Sequence, residues 1–418
     1  MAALDAAPLA SRPRIMQPIT LGDRLTRYPI VATGQRWPCR HEGVAGYTGS
    51  HDLLLRFPAL RNDPRYVDYG RYVDEPDRPV AGSRGGGLFP VLAKTPGGTL
   101  VCIVRTGASH KNTAGAQISL TMSTDRGRTW SPYRVIVQGG GEQDARNPAL
   151  GVVDDNTFVV AYGVHNLTTG KRCMQMIRST DAGRSWSSPT VVEPPAGDPC
   201  PWLHPHGQMC RPGPGRLVFN ARGAYTSSQH ETQANLPERE SFLYFSDDHG
   251  ASFTRHVHLG PITETAVLAM DDTRWLCYSR NTQGSATVGR SADAGQTWGE
   301  WTPAYPDCRF RTDFSSYIAP GSLVRLPSGN VLLVHTYRDH PFGVRAVISR
   351  DGAETFDWDR PFVITDSFWT FDSGYPSAVC FDDGMIVCAA YTMLDLAHPE
   401  WGTCAIAYVW HERDMVVS

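Results

Sequence analysis

Short apolar runs recur along the chain, and Gly, Pro, Asp or Asn residues bound each of them. The segment FPVLAKTPGGTLVCIVR contains two such runs around a turn, and GSLVRLPSGNVLLVHTYR repeats the same arrangement. Runs of this length, separated by turn residues, are typical of β-strands. The pattern therefore predicts a chain of many short strands.

An octapeptide of the form Ser-x-Asp-x-Gly-x-x-aromatic follows several of these strands. Its copies are STDRGRTW from Ser123, STDAGRSW from Ser179, SDDHGASF from Ser246, SADAGQTW from Ser291 and a weaker SRDGAETF from Ser349. In such a turn, Asp accepts backbone hydrogen bonds and Gly supplies a positive φ. The copies lie 45 to 67 residues apart, which is the spacing of a solenoid or propeller.

Each octapeptide follows one strand and an upstream strand pair, and with one further strand each repeat has the four strands of one propeller blade. Including a last pair that lacks the octapeptide, we predict an all-β, six-bladed β-propeller of four-stranded antiparallel blades. Residues 81–418 form the propeller as a single domain, and residues 1–80 form an irregular segment that helps to close the ring. The predicted blades start near Leu88, Arg146, His206, Glu264, Gly321 and Tyr375.

Composition excludes several other classes of protein. The 418 residues include 40 Gly and 31 Pro with 41% hydrophobic content, which argues against a helical bundle and against disorder. A net charge of -3 without a basic run gives no reason to expect nucleic-acid binding. No apolar stretch is long enough to span a membrane. The N-terminus lacks the apolar segment of a signal peptide, so we expect a cytoplasmic protein or a secreted one whose signal was removed.

The ten cysteines include no CxxC pair. Cys102, Cys277 and Cys388 lie inside apolar strand-like runs, which predicts buried thiols. We therefore expect no disulfide framework, no zinc site and no cofactor.

In a propeller, the starts of the first strands and the ends of the second strands point into one mouth of the central channel. Arginine occupies several of the second-strand ends, which predicts a cationic funnel for an anionic ligand. Alternatively, some of these arginines only bridge neighbouring blades. The second-strand ends are Arg105, His165, Arg222, Arg280, His335 with Arg338, and Tyr391.

The octapeptide is the Asp-box, and residues 84 to 410 resemble the sialidase superfamily of six-bladed β-propellers. This resemblance implies a fold but not an activity, because Asp-boxes also occur in other glycosidases, in lyases and in binding propellers.

Sialidases hold the substrate carboxylate with three arginines and use a Tyr nucleophile paired with a Glu, together with an Asp acid/base. The segment TETAVLAMDDTRWLCYSRN resembles the Glu-bearing strand, which implies Glu264 as the activating group and Arg280 as a clamp. The segment SGYPSAVCFDDG resembles the nucleophile strand and implies Tyr375. Either Arg338 or Arg345 would be a second clamp, and we prefer Arg338 because it lies at a strand end.

Two departures from the family pattern concern the clamp and the acid/base. Leu88-Phe89-Pro90 stands where the family has Arg-Ile-Pro, and neither Arg84 nor Arg105 occupies the motif position. The segment GASHKNTAGAQ contains no Asp, so His110 in that loop or Asp144 in the second blade is the candidate acid/base.

The segment LHPHGQM places His204 and His206 on one face of a strand. No third ligand with metal-site spacing is evident, so these histidines are predicted to contact substrate or to support the structure. Arg146 and Arg222, like Arg105, are further candidates for substrate binding.

These residues predict an exo-acting glycoside hydrolase that cleaves a terminal acidic sugar, sialic-acid-like or uronate-linked, from a carbohydrate substrate. One alternative is a polysaccharide lyase acting on uronate-containing glycans. Another is a non-catalytic glycan-binding propeller.

Overall fold

The computed structural model describes residues 19–32, 87–107, 113–194, 203–224, 239–281, 286–305, 318, 320–338, 342–368, 373–393, 395–398, 401 and 403–415. These ranges contain β-strands joined by turns, with short 3-10 helices at Gly22–Arg24 and Glu412–Met415. Within the described ranges, no helix has the length and apolar character needed to cross a bilayer.

The strands follow one another in antiparallel meanders. The first meander contains β3 (Leu88–Lys94), β4 (Leu100–Thr106), β5 (Gln117–Ser123) and β6 (Arg134–Val137). The second contains β7 (Gln143–Val152), β8 (Phe158–Asn166), β9 (Arg172–Ser179) and β10 (Thr190–Val192). The third contains β11 (Leu203–Cys210), β12 (Leu217–Ala224), β13 (Arg239–Ser246) and β14 (Arg255–Gly260).

The fourth meander contains β15 (Ile262–Ala269), β16 (Trp275–Asn281), β17 (Ala286–Ser291) and β18 (Thr302–Pro303). The fifth contains β19 (Gly321–Arg325), β20 (Val331–Tyr337), β21 (Phe342–Ser349) and β22 (Phe362–Phe368), with β1 (Ile19–Thr20) paired in parallel to β22. The last contains β23 (Ser373–Cys380), β24 (Met385–Thr392) and β25 (Cys404–His411). Its fourth strand is β2 (Thr26–Ala32), from the N-terminal part of the chain.

The first strands of the meanders contact one another in chain order, and β23 contacts β3. They begin at residues 88, 143, 203, 262, 321 and 373, each within three residues of the predicted starts. A short parallel pairing of β7 with β11 joins the second and third meanders into one eight-stranded sheet. The first strands therefore surround a common axis, and the starts of these strands lie together at one end of it.

The hydrophobic core lies between neighbouring meanders. Val91 and Ile103 of the first meander pack with Leu150 and Tyr162 of the second, and an equivalent layer joins the last meander to the first. The thiol of Cys102 lies in that second layer and is fully buried. Because each meander buries both faces, its inner strands are apolar on both sides, which explains the continuous apolar runs in the sequence.

The octapeptides form hydrogen-bonded turns between the third and fourth strands. In the copy at 291–298, Ser291 Oγ donates to Asp293 Oδ1 at 2.8 Å, and the Gly295 amide donates to Ser291 Oγ at 2.9 Å. The Thr297 amide and hydroxyl donate to the two oxygens of Asp293 at 2.9 and 2.6 Å. Trp298 then packs on the apolar layer between the third and fourth meanders.

The strand registers place these turns at the end of the sheet opposite to the starts of the first strands. Leu88 pairs with Arg105 at one end of the first meander. Lys94 pairs with Leu100 at the other end, and Leu100 pairs with Ser123, where the turn begins. The turns therefore stabilise the meanders at the end opposite to the starts of the first strands.

We expect the turn aspartates to make the fold sensitive to acid. Hydrogen bonds from Thr297 lower the pKa of Asp293 from 3.8 to about 2, and Thr129 does the same for Asp125. A carboxyl group with a depressed pKa stabilises the fold above its ordinary pKa, and this contribution disappears as the pH falls toward 2. Urea unfolding should therefore show a shallower loss of stability between about pH 4 and pH 2 in Asp293→Asn than in the wild type.

The exposed Asp359 lies outside the octapeptide, and Asp359→Asn serves as the matched control. This control should keep the acid dependence of the wild type. Identical pH profiles for Asp293→Asn and the wild type would contradict the expectation.

Candidate active site

A β-bulge recurs near the start of the first strands. Two residues oppose one residue of the neighbouring strand, and the first of the two has a positive φ. These residues are Phe89 at 50°, Asn147 at 48°, Glu264 at 53° and Tyr375 at 48°. A positive φ is uncommon for residues with a side chain, and such backbone strain persists where the surrounding structure enforces it. Bulges re-aim side chains beside active sites, so these four side chains mark a candidate site at one end of the channel.

Proline occupies the second bulge position in three of these strands, at Pro90, Pro148 and Pro376. The bulge interrupts the hydrogen-bond ladder, so a residue without an amide hydrogen is tolerated there. In the third meander, the first strand β11 has a register shift after His206, and its Gly207 has a φ of 69°.

Tyr375 and Glu264, two of the bulged residues, meet across the channel mouth. The Tyr375 hydroxyl donates a hydrogen bond to Glu264 Oε1 at 2.6 Å, although the residues lie 111 positions apart in sequence. Glu264 is buried, with 2% of its surface exposed. The structure thus brings together the pair that the sequence predicts as nucleophile and activating carboxylate.

Arg280 lies directly behind this pair. It faces Thr263 in the β15–β16 register, and its Nη1 lies 2.9 Å from Glu264 Oε2. Burial alone would raise the pKa of Glu264, but Arg280 and Arg222 together hold it well below its ordinary value. At neutral pH, Glu264 is therefore a carboxylate that accepts the Tyr375 hydrogen bond.

The Tyr375 hydroxyl keeps its proton in this environment. Burial and the negative charge of Glu264 raise the pKa of Tyr375, against the opposing effects of Arg280 and Arg338. A neutral phenol beside a carboxylate is a nucleophile that a base can activate, because the carboxylate can take the phenolic proton during attack.

Arg338 directly follows the last residue of β20 and faces Tyr375. Its guanidinium carbon is 5.6 Å from the centroid of the Tyr375 ring, and its Nε has no hydrogen-bond partner among the described residues. Arg345 instead donates to the Thr365 carbonyl oxygen at 2.9 Å and lies over the ring of Tyr337. This geometry favours Arg338 over Arg345 as the second clamp.

His206 faces the same pair, whereas His204 does not. The His206 ring centroid is 6.0 Å from that of Tyr375. The ring of His204 is buried against β8, where a Cβ on Gly163 would lie 2.4 Å from its Nδ1. Over the part of the chain that the structure describes, no group of three His, Cys, Asp or Glu residues could hold a metal ion.

Arg105 and Asp144 form a closed ion pair between the first two meanders. Arg105 Nη2 lies 2.5 Å from Asp144 Oδ1, and both side chains are fully buried. Arg105 Nε also donates to the Ala145 carbonyl oxygen at 3.1 Å. The neighbouring Arg146 has its Nη1 3.7 Å from Asp144 Oδ2 and donates through Nε to Asn147 Oδ1. This arrangement matches the alternative in which arginines bridge blades, and the structure does not bring Asp144 to the Tyr375 pair.

Aromatic rings cover the other side of Tyr375. The ring centroids of Phe89 and Tyr391 lie 5.0 and 5.9 Å from that of Tyr375. Phe89 thus stands beside the predicted nucleophile, a role that the sequence interpretation missed. The Phe89-Pro90 pair matches Tyr375-Pro376 in position and could have revealed it. His110 and Arg84, two further candidates, lie outside the described residues.

A cavity of about 290 Å³ lies along the first strands, and Phe89, Asn147, His206 and Tyr375 line it at their bulged ends. It continues to the opposite ends of these strands, at Lys94 and Cys380, whereas Glu264, Arg280 and Arg338 do not line it. A concave, partly apolar cavity with a few converging polar groups is the usual form of a small-molecule site.

A family model described as a BNR repeat-like domain matches residues 133–388, more than half of the chain. A sialidase from Bacteroides fragilis is 25% identical over 241 residues, which are 51% of this chain and 43% of that protein. The matched part therefore spans less than half of that relative's own length.

Solved structures are also similar to this chain. A protein of unknown function from Dyadobacter fermentans has a TM-score of 0.61 at 22% identity, covering 78% of this chain and 94% of that one. A Hadza microbial sialidase has a TM-score of 0.56 at 18% identity, covering 79% and 66%. At these identities the likeness shows the fold, an all-β architecture similar to that of the sialidase β-propellers.

Proposed function

Since the chain belongs to the BNR repeat-like domain family, we propose that it is a sialidase-like glycoside hydrolase that removes a terminal acidic sugar from a glycan. The observation that carries the proposal is the 2.6 Å hydrogen bond from the Tyr375 hydroxyl to Glu264. Arg280, Arg222 and Arg338 surround this pair with positive charge. Such a site suits an anionic ligand.

The proposal includes the architecture that holds the site. We propose a single six-bladed propeller over residues 81–418, with Asp-box turns on the rim away from the channel mouth. The cyclic contacts of the first strands support this arrangement. Part of the segment 1–80 helps to close the ring, which is supported by the pairing of β2 with β25.

In the proposed reaction, Tyr375 attacks the anomeric carbon and Glu264 accepts the phenolic proton. A neutral phenol suits this role, since a carboxylate nucleophile would be repelled by the acidic group of the sugar. Arg280 and Arg338 bind that acidic group and orient the sugar over Tyr375. Arg105, Asp144 and Arg146 support the channel wall as a buried cluster.

A polysaccharide lyase is the second candidate, and the position of His206 beside Tyr375 favours it. In that reaction the arginines would neutralise a uronate, and Tyr375 or His206 would move the proton. Elimination creates a C=C bond next to the carboxylate, and this bond absorbs ultraviolet light. Hydrolysis of the same substrate gives no such absorbance, so the product spectrum separates the two reactions. A silent glycan-binding propeller would turn over no acidic glycan.

We expect Glu264→Gln to lower kcat on acidic glycosides by about 100- to 10,000-fold, because glutamine cannot accept the phenolic proton. The measurement is release of the acidic sugar, followed by anion-exchange chromatography. Glu240→Gln is the matched control, since Glu240 pairs with His258 outside the site, and its turnover should equal that of the wild type. Full turnover by Glu264→Gln would rule out the proposed role of Glu264.

A further inference from the structure

The proposed reaction needs a group that gives a proton to the departing oxygen. Asp144 is fully buried in its ion pair with Arg105, so it does not reach the cavity. Among the described residues that line the cavity, His206 is the one whose ordinary pKa lies between pH 5 and pH 8. Its ring centroid lies 6.0 Å from that of Tyr375.

We propose that His206 exchanges the proton with the leaving group, and that binding of the substrate's acidic group to the site arginines stabilises the protonated form of His206. This inference rests on the proposed function, because it assigns the missing proton donor to the same site.

Charged groups from several strands surround His206. Burial, Arg222 and Arg280 lower the pKa of His206 and Glu264 raises it, and together these effects bring it to about 4. On β7, Asp144 and Arg146 form their own ion pair. The groups that act on the charge of His206 are Glu264 on β15, Arg222 on β12 and Arg280 on β16, and Tyr375 on β23 lies beside its ring.

An anion bound to the arginines changes this balance. The positive charges of Arg222 and Arg280 disfavour the imidazolium form of His206, so a carboxylate placed between them weakens that effect. The same carboxylate raises the pKa of Glu264, which makes Glu264 a better base for Tyr375. Without substrate the site has a neutral histidine and a weak base, and an acidic sugar raises the proton affinity of both His206 and Glu264.

The chemical steps balance with His206 in this role. In the first step, Tyr375 forms a bond to the anomeric carbon and its proton passes to Glu264. The glycosidic bond breaks with its electron pair on the departing oxygen, which takes the proton of the His206 imidazolium. In the second step, water bonds to the anomeric carbon and gives a proton to His206. The bond to Tyr375 then breaks, and the phenolate recovers its proton from Glu264.

The first test is a nuclear magnetic resonance titration of the wild-type protein with isotope-labelled histidine, with the His206 signal assigned by its loss in His206→Gln. Saturating N-acetylneuraminic acid or glucuronic acid should raise the pKa of His206 by about one unit or more, whereas neutral N-acetylglucosamine should not. An unchanged pKa with both acids bound would overturn the proposal. If neither acid binds, the proposed effect of a bound anion on His206 and the proposed acidic substrate are both wrong.

The second test compares leaving groups, because an acid matters most when the departing oxygen is a poor leaving group. His206→Gln should lower kcat/KM about 100- to 10,000-fold on an alkyl or oligosaccharide glycoside of the acidic sugar. On the 4-methylumbelliferyl glycoside, whose leaving group needs little protonation, we expect a loss of about tenfold or less. His256→Gln, an exposed histidine on β14, should change neither.

Equal losses on both substrates would show that His206 only supports the structure, and would overturn its role as proton donor. This outcome leaves the proposed hydrolase function intact. That function fails instead if the wild type hydrolyses neither substrate, and the titration then still decides whether a bound anion stabilises the protonated form of His206.

Discussion

The Tyr375→Phe variant is expected to lose about 1,000-fold or more of its kcat on acidic glycosides while it still binds the free acidic sugar. Phenylalanine keeps the ring contacts with Phe89 and His206 but removes the oxygen that would attack the anomeric carbon. It also removes the hydrogen bond to Glu264, whose carboxylate retains the ion pair with Arg280. Steady-state kinetics and isothermal titration calorimetry measure the two quantities separately.

Tyr162→Phe is the matched control for this variant. It also removes a hydroxyl from a buried tyrosine, but the partner of that hydroxyl is Gln175 in the second meander. Its kcat should equal that of the wild type. Unchanged turnover in Tyr375→Phe would mean that this phenol is not the nucleophile.

Arg280→Met should destabilise the protein by about 3–5 kcal/mol, because it leaves the buried carboxylate of Glu264 without its nearest cation. It should also weaken binding of an acidic sugar by about 100-fold or more, which is the loss expected when one partner of a buried charge pair is removed. Urea unfolding measures the first effect and calorimetric titration the second.

This variant also changes how stability depends on pH. In the wild type, the pKa of Glu264 is well below its ordinary value of 4.5, so its ionised form stabilises the fold above that pH and the contribution disappears on acidification. Without Arg280 the pKa of Glu264 rises, and the folded protein takes up this proton at higher pH. The loss of stability between pH 7 and pH 5 should therefore be larger in the wild type than in Arg280→Met.

Arg216→Met is the control, since Arg216 pairs with Asp247 on the surface. It should change stability by less than about 1 kcal/mol. If Arg280→Met resembled this control in both stability and sugar binding, Arg280 would be neither a partner of Glu264 nor a clamp.

Much of the architecture could be predicted from local sequence, because the features that encode it act within a few residues. In the octapeptide, hydrogen bonds join Ser291 to Asp293 and Gly295. These partners lie within a few residues of one another, so their spacing alone predicts a turn. The strand runs upstream of each turn are equally local, and their predicted starts agree with the structure within three residues.

The site could be predicted only in part. Glu264 and Tyr375 were found through family resemblance at two strand starts, and they meet in the structure at 2.6 Å. Arg105 and Arg280 align at strand ends, but their partners in the structure differ. The guanidinium of Arg105 forms an ion pair with Asp144 between the first two meanders, whereas that of Arg280 forms an ion pair with Glu264. These two arginines therefore differ in their neighbours and not in their position along the strand.

By itself, the sequence determined the strands, the repeated turns and the residues that start each inner strand, because hydrogen bonds and φ preferences act over short distances. Only the tertiary structure decided which of those residues share a site. The bulges aim Phe89, Asn147, Glu264 and Tyr375 at one channel end. Packing of the meanders around the axis also places His206 beside Tyr375, although 169 positions separate them. Charge and proton affinity at the site depend on those distant neighbours, so the ionisation of Glu264 and His206 is a property of the closed ring.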